Sequence, residues 1–325
     1  MKAMLTGVGI CLTTGSAAWL VWVSLRSKPA TRLPFTGWAG LAAIGLLEAL
    51  LACHIAWIAT FFTALVWTAY LFAADGAVRR LRGFSYLQFP ARTLALGLTS
   101  IPIWLLFEAY NFRLRNWTYT GVPHNGWWFL LGANWAFATI LPGIFFTAEL
   151  LYAGQFQSRQ CRPWHLSAGW RCAVAALGLA LVAVPLLLPF SRGAYLFGLV
   201  WAGFFLLLDP INDRMGWPSL LSDLRLGRPG RALALLSSGL ICGFFWEFWN
   251  FWAAARWQYV FPIAQSWKVF AMPLPGYLGF PPFALECFAL WIFFSRLLLP
   301  KAVETEVGSL TLAESSPIPV KTLQW

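Results

Sequence analysis

Long apolar runs are the feature that most limits what this chain can fold into. A transmembrane helix needs about 20 mostly apolar residues, and several segments of the 325-residue chain come close to that length. The predicted spans are Leu5–Leu25, Trp38–Cys53, Ala56–Ala74, Thr93–Phe112, Trp128–Tyr152, Trp170–Leu188, Ala194–Leu208, Ala232–Trp252 and Gly279–Leu299. The division near His54 is needed because the apolar stretch around it is too long for one crossing. The sequence therefore predicts an all-α, polytopic transmembrane helix bundle of about nine helices.

The supply of charged residues is too small for a soluble surface. Only 11% of the residues are charged and 59% are hydrophobic, whereas a soluble domain carries about 25% charged residues. This composition excludes soluble enzymes and nucleic-acid-binding modules, although the formal net charge is +11. The six cysteines form no C-x-x-C pair and the three histidines are far apart, so we expect no metal site of the zinc or haem type and no cofactor.

The basic residues are distributed unevenly between alternate loops, and this predicts the orientation of the chain. With the N-terminus outside, the five cytoplasmic segments hold three, four, three, four and three Lys or Arg, which is 17 of the 23. Such a bias is typical of the cytoplasmic side of a membrane protein. We expect a multi-pass protein of a bacterial-type cell inner membrane, with its N-terminus outside and a polar C-terminal tail in the cytoplasm.

Rare polar residues recur in the same order in the two halves of the chain. The matching pairs, at offsets between 134 and 140 residues, are Asp75 and Asp209, Glu108 and Glu247, Asn111 and Asn250, Trp117 and Trp257, Tyr119 and Tyr259, and Glu149 and Glu286. The order predicts two four-helix repeats, which run parallel because each has an even number of helices. The predicted divisions are an N-terminal span with its basic loop (1–34), a first repeat (35–165), a second repeat (166–299) and the polar tail (300–325).

Four glutamates in or near the spans are the candidate catalytic residues: Glu108, Glu149, Glu247 and Glu286. Carboxyl groups at membrane depth are costly, so they usually face the interior of a bundle and find a partner. Residues three apart share a helix face, which makes Asn111 and Asn250 candidate substrate-binding residues. The other candidates for binding are Trp117, Tyr119, Trp246, Trp257 and Tyr259. The alternative, in which the acids only join helices, stays open.

The aromatic content indicates the kind of ligand. The chain has 21 Trp, 28 Phe and 8 Tyr; interfacial belts use many of them, but the segment 244–252 carries aromatic rings on every face of its helix. Aromatic walls with a few carboxyl groups suit a polyene, a quinone ring or a carbocation. The proline-rich segment Phe261–Tyr277 is a candidate re-entrant lid on the outer face.

Asp209 and Asp213 form a D-x-x-x-D spacing at a cytoplasmic helix end, which makes them weak candidates for a Mg²⁺–diphosphate site. The spacing resembles the second Asp-rich motif of the intramembrane aromatic prenyltransferases, which are also nine-helix proteins. The equivalent loop of the first half offers only Asp75. A helix end with solvated charges is therefore the favoured interpretation.

A longer pattern follows in the second half: Trp257-Gln-Tyr259, then Gly276-Tyr-Leu-Gly279-Phe-Pro-Pro282, and then Glu286-Cys-Phe288. It resembles the lycopene-cyclase-domain membrane proteins of carotenoid synthesis, whose pattern is W-x-[FY], a Gly-rich approach, and P-x-E-E with aromatics. The resemblance implies an enzyme of small helical repeats that protonates a polyene and lets the cation cyclise without a redox change. This sequence departs from the pattern where Cys287, and not a second acid, follows Glu286.

We therefore expect a membrane enzyme doing acid–base chemistry, of a cyclase, isomerase or hydratase kind, on an apolar isoprenoid or other lipid between the repeats. The expected partner is a membrane lipid or polyene, and no nucleic acid. The first alternative is a transporter, or a quinone- or pigment-binding subunit, whose glutamates are structural or relay protons. A weaker alternative is an intramembrane prenyltransferase. The sequence leaves the oligomeric state and the substrate open.

Overall fold

A computed structural model describes residues 2–165 and 167–298, so the predicted tail lies outside the described residues. The helices are α1 (Lys2–Arg26), α2 (Phe35–Ala52), α3 (Ala56–Arg82), α4 (Pro90–Leu114), α5 (Gly126–Ala138), α6 (Ile140–Leu151), α7 (Ala168–Leu187), α8 (Phe190–Gly193), α9 (Phe197–Arg214), α10 (Leu220–Arg225), α11 (Gly230–Trp252) and α12 (Phe280–Leu298). The strands are β1 (Trp117–Thr120), β2 (Arg256–Tyr259), β3 (Lys268–Val269) and β4 (Met272–Pro273).

Within the described ranges, eight helical segments are long and apolar enough to cross a membrane. They are α1, α2, α3, α4, α5 together with α6, α7, α11, and α12 with the turn before it. The predicted span Ala194–Leu208 corresponds to α9, whose 18 residues include Asp209, Asp213 and Arg214. Because of these three charged residues, α9 is not one of the eight apolar segments. The chain is thus a multi-pass, predominantly helical membrane protein.

Two helix pairs approach each other closely at glycines. A Cβ atom on Gly40 of α2 would lie 2.5 Å from the backbone nitrogen of Ala73 in α3. A Cβ atom on Gly178 of α7 would lie 2.3 Å from the backbone nitrogen of Leu207 in α9. Only glycine permits either approach, as is common where helices pack inside membranes. The α2–α3 pair and the α7–α9 pair therefore both depend on a glycine at the point where their backbones come close.

The predicted span Trp128–Tyr152 is a broken helix. Helix α5 ends at Ala138 and α6 begins at Ile140, because Pro142 has no N–H to offer the carbonyl four residues earlier. The Ser100 hydroxyl of α4 occupies the break, donating to the Phe137 carbonyl and accepting from the Leu141 N–H at 3.1 Å. The predicted span is therefore two helices that meet at Thr139.

The core is formed mainly by α3, α4, α6, α9, α11 and α12, and α1 packs on it against α11 and α6. Helix α12 begins directly after a 3₁₀ turn (Leu274–Gly279). Pro281 and Pro282 fall in its first turn, where missing N–H groups cost nothing. The prolines are therefore those of an ordinary helix start.

Two short antiparallel sheets are the departure from an all-α fold. Strand β1 pairs with β2 in the register Trp117 to Tyr259 and Tyr119 to Trp257. Strands β3 and β4 form a small hairpin inside the segment Phe261–Tyr277, which is otherwise turns and a 3₁₀ helix. The re-entrant character of this segment stays a prediction.

Candidate functional site

Strands β1 and β2 are held on the ends of their helices by two asparagines. The Asn111 side chain donates to the Trp117 carbonyl at 3.0 Å and accepts from the Trp117 N–H at 3.0 Å. The Asn250 side chain makes the same two bonds with Trp257, both at 2.9 Å. Each side-chain amide thus makes the pair of hydrogen bonds with the tryptophan backbone that a neighbouring strand would make. Both predicted binding residues act on the backbone here, and neither lines the cavity described below.

Glu108 is surrounded by three aromatic hydrogen-bond donors. Its Oε1 accepts from Trp104 Nε1 at 2.9 Å, from Trp117 Nε1 at 3.1 Å and from the Tyr119 hydroxyl. Its Oε2 has no hydrogen bond from the part of the chain that the structure describes. The side chain is half-buried and lies on the wall of a cavity. The group can therefore exchange a proton with a molecule in that cavity.

Glu247 has a closely similar set of partners. Its Oε1 accepts from Trp257 Nε1 at 3.3 Å and from the Tyr259 hydroxyl at 2.9 Å. Unlike Glu108, it is completely buried, and its Oε2 lacks a hydrogen-bond partner among the described residues. It does not line the cavity, but Trp257 and Tyr259 do. Any effect of Glu247 on a ligand passes through those two side chains.

The tyrosines of the two networks are permanent donors. Burial raises the pKa of both Tyr119 and Tyr259 well above the ordinary phenol value, and the neighbouring carboxyl groups raise it further. Both phenols therefore keep their protons at neutral and moderately alkaline pH. Since β1 and β2 are paired, the two networks lie next to each other across one small sheet.

The cavity beside this sheet encloses about 650 Å³ and its wall is mostly apolar. Of the candidate residues from the sequence, six line it: Glu108, Trp117, Tyr119, Trp246, Trp257 and Tyr259. Helix α3, helix α5 and the start of α12 supply further walls, with Trp128 and Trp201 among the rings. A volume of this size holds a sizeable apolar molecule.

The other two glutamates lie elsewhere. Glu149 in α6 is fully buried and forms a salt bridge with Arg82 of α3 at 2.7 Å. Glu286 in α12 is also fully buried, and its Oε1 accepts from the Phe204 N–H of α9 at 2.7 Å. Neither lines the cavity. Their contacts join helices within the core, and a catalytic role for them stays a prediction.

Asp209 and Asp213 both have partners among the described residues. Asp209 accepts from the Leu220 and Leu221 N–H groups at 2.9 Å each, and Asp213 forms ion pairs with Arg171 and Arg225. Asp75 similarly accepts from the Tyr86 N–H at 2.6 Å. Among the described residues there is no group of three or more His, Cys, Asp or Glu side chains that could hold a metal ion. Asp75 and Asp209 bind the segment that follows their own helix, and Asp213 joins α9 to α7 and α10.

Sequence reasoning missed several residues of the site. Trp104 lies one helical turn before Glu108, and this spacing would have placed it on the same face. Thr63 and Trp67 of α3 line the cavity as well, but threonine and tryptophan in an apolar helix give no signal that separates them from packing residues. Helix α5 is the first part of the predicted span Trp128–Tyr152, and the sequence prediction places no site residue in it.

Comparison with known proteins identifies no relative. No family model matches the chain, and no curated protein and no solved structure matches it. The functional conclusion therefore rests on the geometry of the site.

Proposed function

We propose that this protein is a membrane enzyme that performs acid–base chemistry, with no redox change, on an apolar isoprenoid or related lipid. The observation that carries the proposal is the position of Glu108, a half-buried carboxyl group with three aromatic donors on the wall of an aromatic cavity. A carboxyl group buried in this way is unusual in a membrane protein unless it serves a ligand or a partner.

The repeat organisation supports a site between two halves. Asn111 and Asn250 fix Trp117 and Trp257 by the same pair of bonds. Asp75 and Asp209 each accept backbone N–H groups from the loop that follows. These equivalences support two parallel four-helix repeats. The distribution of the basic residues supports a bacterial-type inner membrane, with the N-terminus outside. The candidate site then lies where the halves meet through β1 and β2.

The chemistry follows from a proton donor next to aromatic rings. A protonated Glu108 transfers its proton to one carbon of a ligand double bond, which leaves a carbocation on the neighbouring carbon. A second double bond of the same ligand attacks that carbon and closes a ring. Loss of a proton from the adjacent carbon to the carboxylate restores Glu108, so the product is an isomer of the substrate. The indole faces stabilise the cation in the meantime.

Four residues have supporting roles. Trp104, Trp117 and Tyr119 donate to Oε1 of Glu108 and so stabilise its ionised form between the two proton transfers. Tyr259 donates a hydrogen bond to Glu247 and also lines the cavity, so it links the buried carboxyl group to a ligand. This is the reaction class that the lycopene-cyclase resemblance implies.

The test is expression of the full chain in bacteria that accumulate acyclic polyenes, both lycopene and its hydroxylated derivatives. Extracts are separated by chromatography and analysed by mass spectrometry for products of unchanged mass and shorter chromophore. We expect such products with the native chain and none with Glu108→Gln. The matched control is Glu48→Gln, because Glu48 also accepts an indole N–H, from Trp249 at 3.1 Å, but lies outside the cavity.

A different result would favour the alternative of a lipid-binding subunit. If the purified chain retains a polyene or quinone but converts none of the polyenes, acid–base catalysis on this class is excluded. The completely buried and hydrogen-bonded Glu149 and Glu286 are the observation that fits this alternative, since they show that the fold also uses acids to join helices.

A further inference from the structure

Three threonines on α3 differ in how their hydroxyl groups are satisfied. Thr60 donates to the Ala56 carbonyl at 2.9 Å, and Thr68 donates to the Ala64 carbonyl at 2.8 Å. This bond to the carbonyl four residues earlier is the usual one for a helical threonine. The Thr63 hydroxyl, which is buried, has no hydrogen-bond partner among the described residues.

The reason lies in the carbonyl that Thr63 would use. The Ala59 carbonyl accepts the Thr63 N–H as part of the helix, and it also accepts the Ala254 N–H at 2.9 Å. Two bonds occupy both lone pairs of a carbonyl oxygen. The contact between α3 and the loop after α11 therefore leaves the Thr63 hydroxyl without a backbone acceptor.

Trp67 lies one turn further along the same face of α3. It is fully buried, and its indole N–H has no hydrogen-bond partner in the described part of the chain. Its position is fixed, because a Cβ atom on Gly143 of α6 would lie 2.8 Å from its Cζ3. The ring is also held by Trp246, with centroids 4.9 Å apart. The indole cannot easily turn to find an acceptor elsewhere.

Thr63 and Trp67 both line the cavity that Glu108 lines. Among the described residues with unpartnered buried side-chain nitrogen or oxygen atoms, only these two belong to the cavity wall. A buried donor without an acceptor is costly, and such groups in a mostly apolar pocket are usually the ones that orient a ligand. Residues at i and i+4 can contact one shared atom.

We propose that Thr63 and Trp67 form a polar subsite for a hydrogen-bond-accepting oxygen of the ligand. The indole can only donate, so the ligand atom is a carbonyl, hydroxyl or ether oxygen. The inference rests on the proposed function, in which the cavity holds an apolar lipid, and it narrows that lipid to an oxygenated isoprenoid. An alcohol, aldehyde, ketone or quinone fits this description, whereas a pure hydrocarbon leaves both donors unsatisfied.

The experiment measures binding to the full chain in lipid nanodiscs with two radiolabelled probes. One probe is geranylgeraniol and the other is the hydrocarbon of the same chain without the hydroxyl group; empty nanodiscs give the partition background. We expect the native chain to bind the alcohol about tenfold more tightly than the hydrocarbon. Thr63→Val should weaken binding of the alcohol about three- to tenfold and change binding of the hydrocarbon less than about twofold.

Matched variants separate the hydroxyl group from packing. Thr68→Val removes an α3 hydroxyl that is already bonded within the helix and lies outside the cavity wall, so it should alter neither affinity. Thr63→Ser keeps a hydroxyl and should keep the preference for the alcohol. Trp67→Phe removes the indole donor and should reduce the same preference even if Thr63→Val does not fold.

The two proposals fail in different ways. If both probes bind with equal affinity and neither Thr63→Val nor Trp67→Phe changes their ratio, the polar subsite is contradicted, while the lipid-binding cavity stands. If neither probe binds above the background of empty nanodiscs, the proposed function itself is contradicted.

Discussion

The two halves of the protein use the same polar motif around Glu108 and Glu247, but they expose it differently. In both, a glutamate oxygen accepts from a tryptophan and a tyrosine of the following strand, and an asparagine one turn later fixes that tryptophan. Glu108 is half-buried at the cavity, whereas Glu247 is fully buried behind it. Equivalent sequence positions therefore need not have equivalent access to a ligand.

One position accounts for much of the difference. Trp104 donates the third hydrogen bond to Glu108, and the corresponding residue on α11 is Gly243. A Cβ atom there would lie 2.3 Å from the ring of Phe280 at the start of α12. The first half therefore has the Trp104 indole beside its glutamate, whereas in the second half α12 packs against α11 at the equivalent position. The first network opens to the cavity and the second is closed.

The largest expected difference is between Glu108→Gln and Glu247→Gln in the polyene assay. We expect Glu108→Gln to lower product formation at least about a hundredfold, since a general acid typically contributes 10² to 10⁴. Glu247→Gln should lower it only about tenfold, because Glu247 reaches the cavity through Trp257 and Tyr259. A larger loss for Glu247→Gln than for Glu108→Gln would reverse the assignment of the open and closed networks.

The next largest effect concerns folding and compares Asn111→Asp with Asn250→Asp. Each change replaces an N–H₂ donor with an oxygen that faces the carbonyl of Trp117 or Trp257. Asn250 is fully buried and Asn111 is partly exposed, so Asn250→Asp should cost about 2 kcal/mol and Asn111→Asp less. Thermal unfolding in detergent, followed by size-exclusion chromatography, measures both. Equal losses would mean that burial does not distinguish the two asparagines.

The smallest effect concerns the position that separates the two networks. Trp104→Phe removes one of three donors to Glu108 and should lower product formation about threefold to tenfold, the equivalent of a single hydrogen bond. The protein should still fold, because Trp104 is only partly buried. Gly243→Ala should instead lower the unfolding temperature, since its Cβ atom would collide with Phe280. An unfolding temperature unchanged in Gly243→Ala would contradict the close packing of α11 on α12.

The sequence predicted the membrane class and most of the helices because apolar length alone determines them. The broken span was not predictable from length, since the combination of Pro142 and the Ser100 hydroxyl from another helix produces it. The ninth span was predicted at Ala194–Leu208, but three charges at the end of α9 leave that helix outside the set of apolar spans.

The recurrence of polar residues in the two halves located the region of the site, but it did not determine which of those residues line the cavity. Six of the eleven candidate residues line one cavity. Glu149 and Glu286 recur in the same way, but their contacts lie in the core, because recurrence preserves a helix lock as readily as a ligand contact. The pairing of β1 with β2 joins residues far apart in the chain. The unsatisfied Thr63 hydroxyl could be recognised only from the structure, where the Ala59 carbonyl accepts a second hydrogen bond from the Ala254 N–H.

Occupancy of the cavity is the most direct test of the central claim, which is that an apolar lipid binds beside Glu108. Mass spectrometry of lipids extracted from the purified native chain should show one apolar lipid in near-stoichiometric amount. Ala136→Trp, which adds an indole at the cavity wall, should remove it, while Ala173→Trp on the exposed face of α7 should not. Equal lipid content in the native chain and both variants would contradict the account.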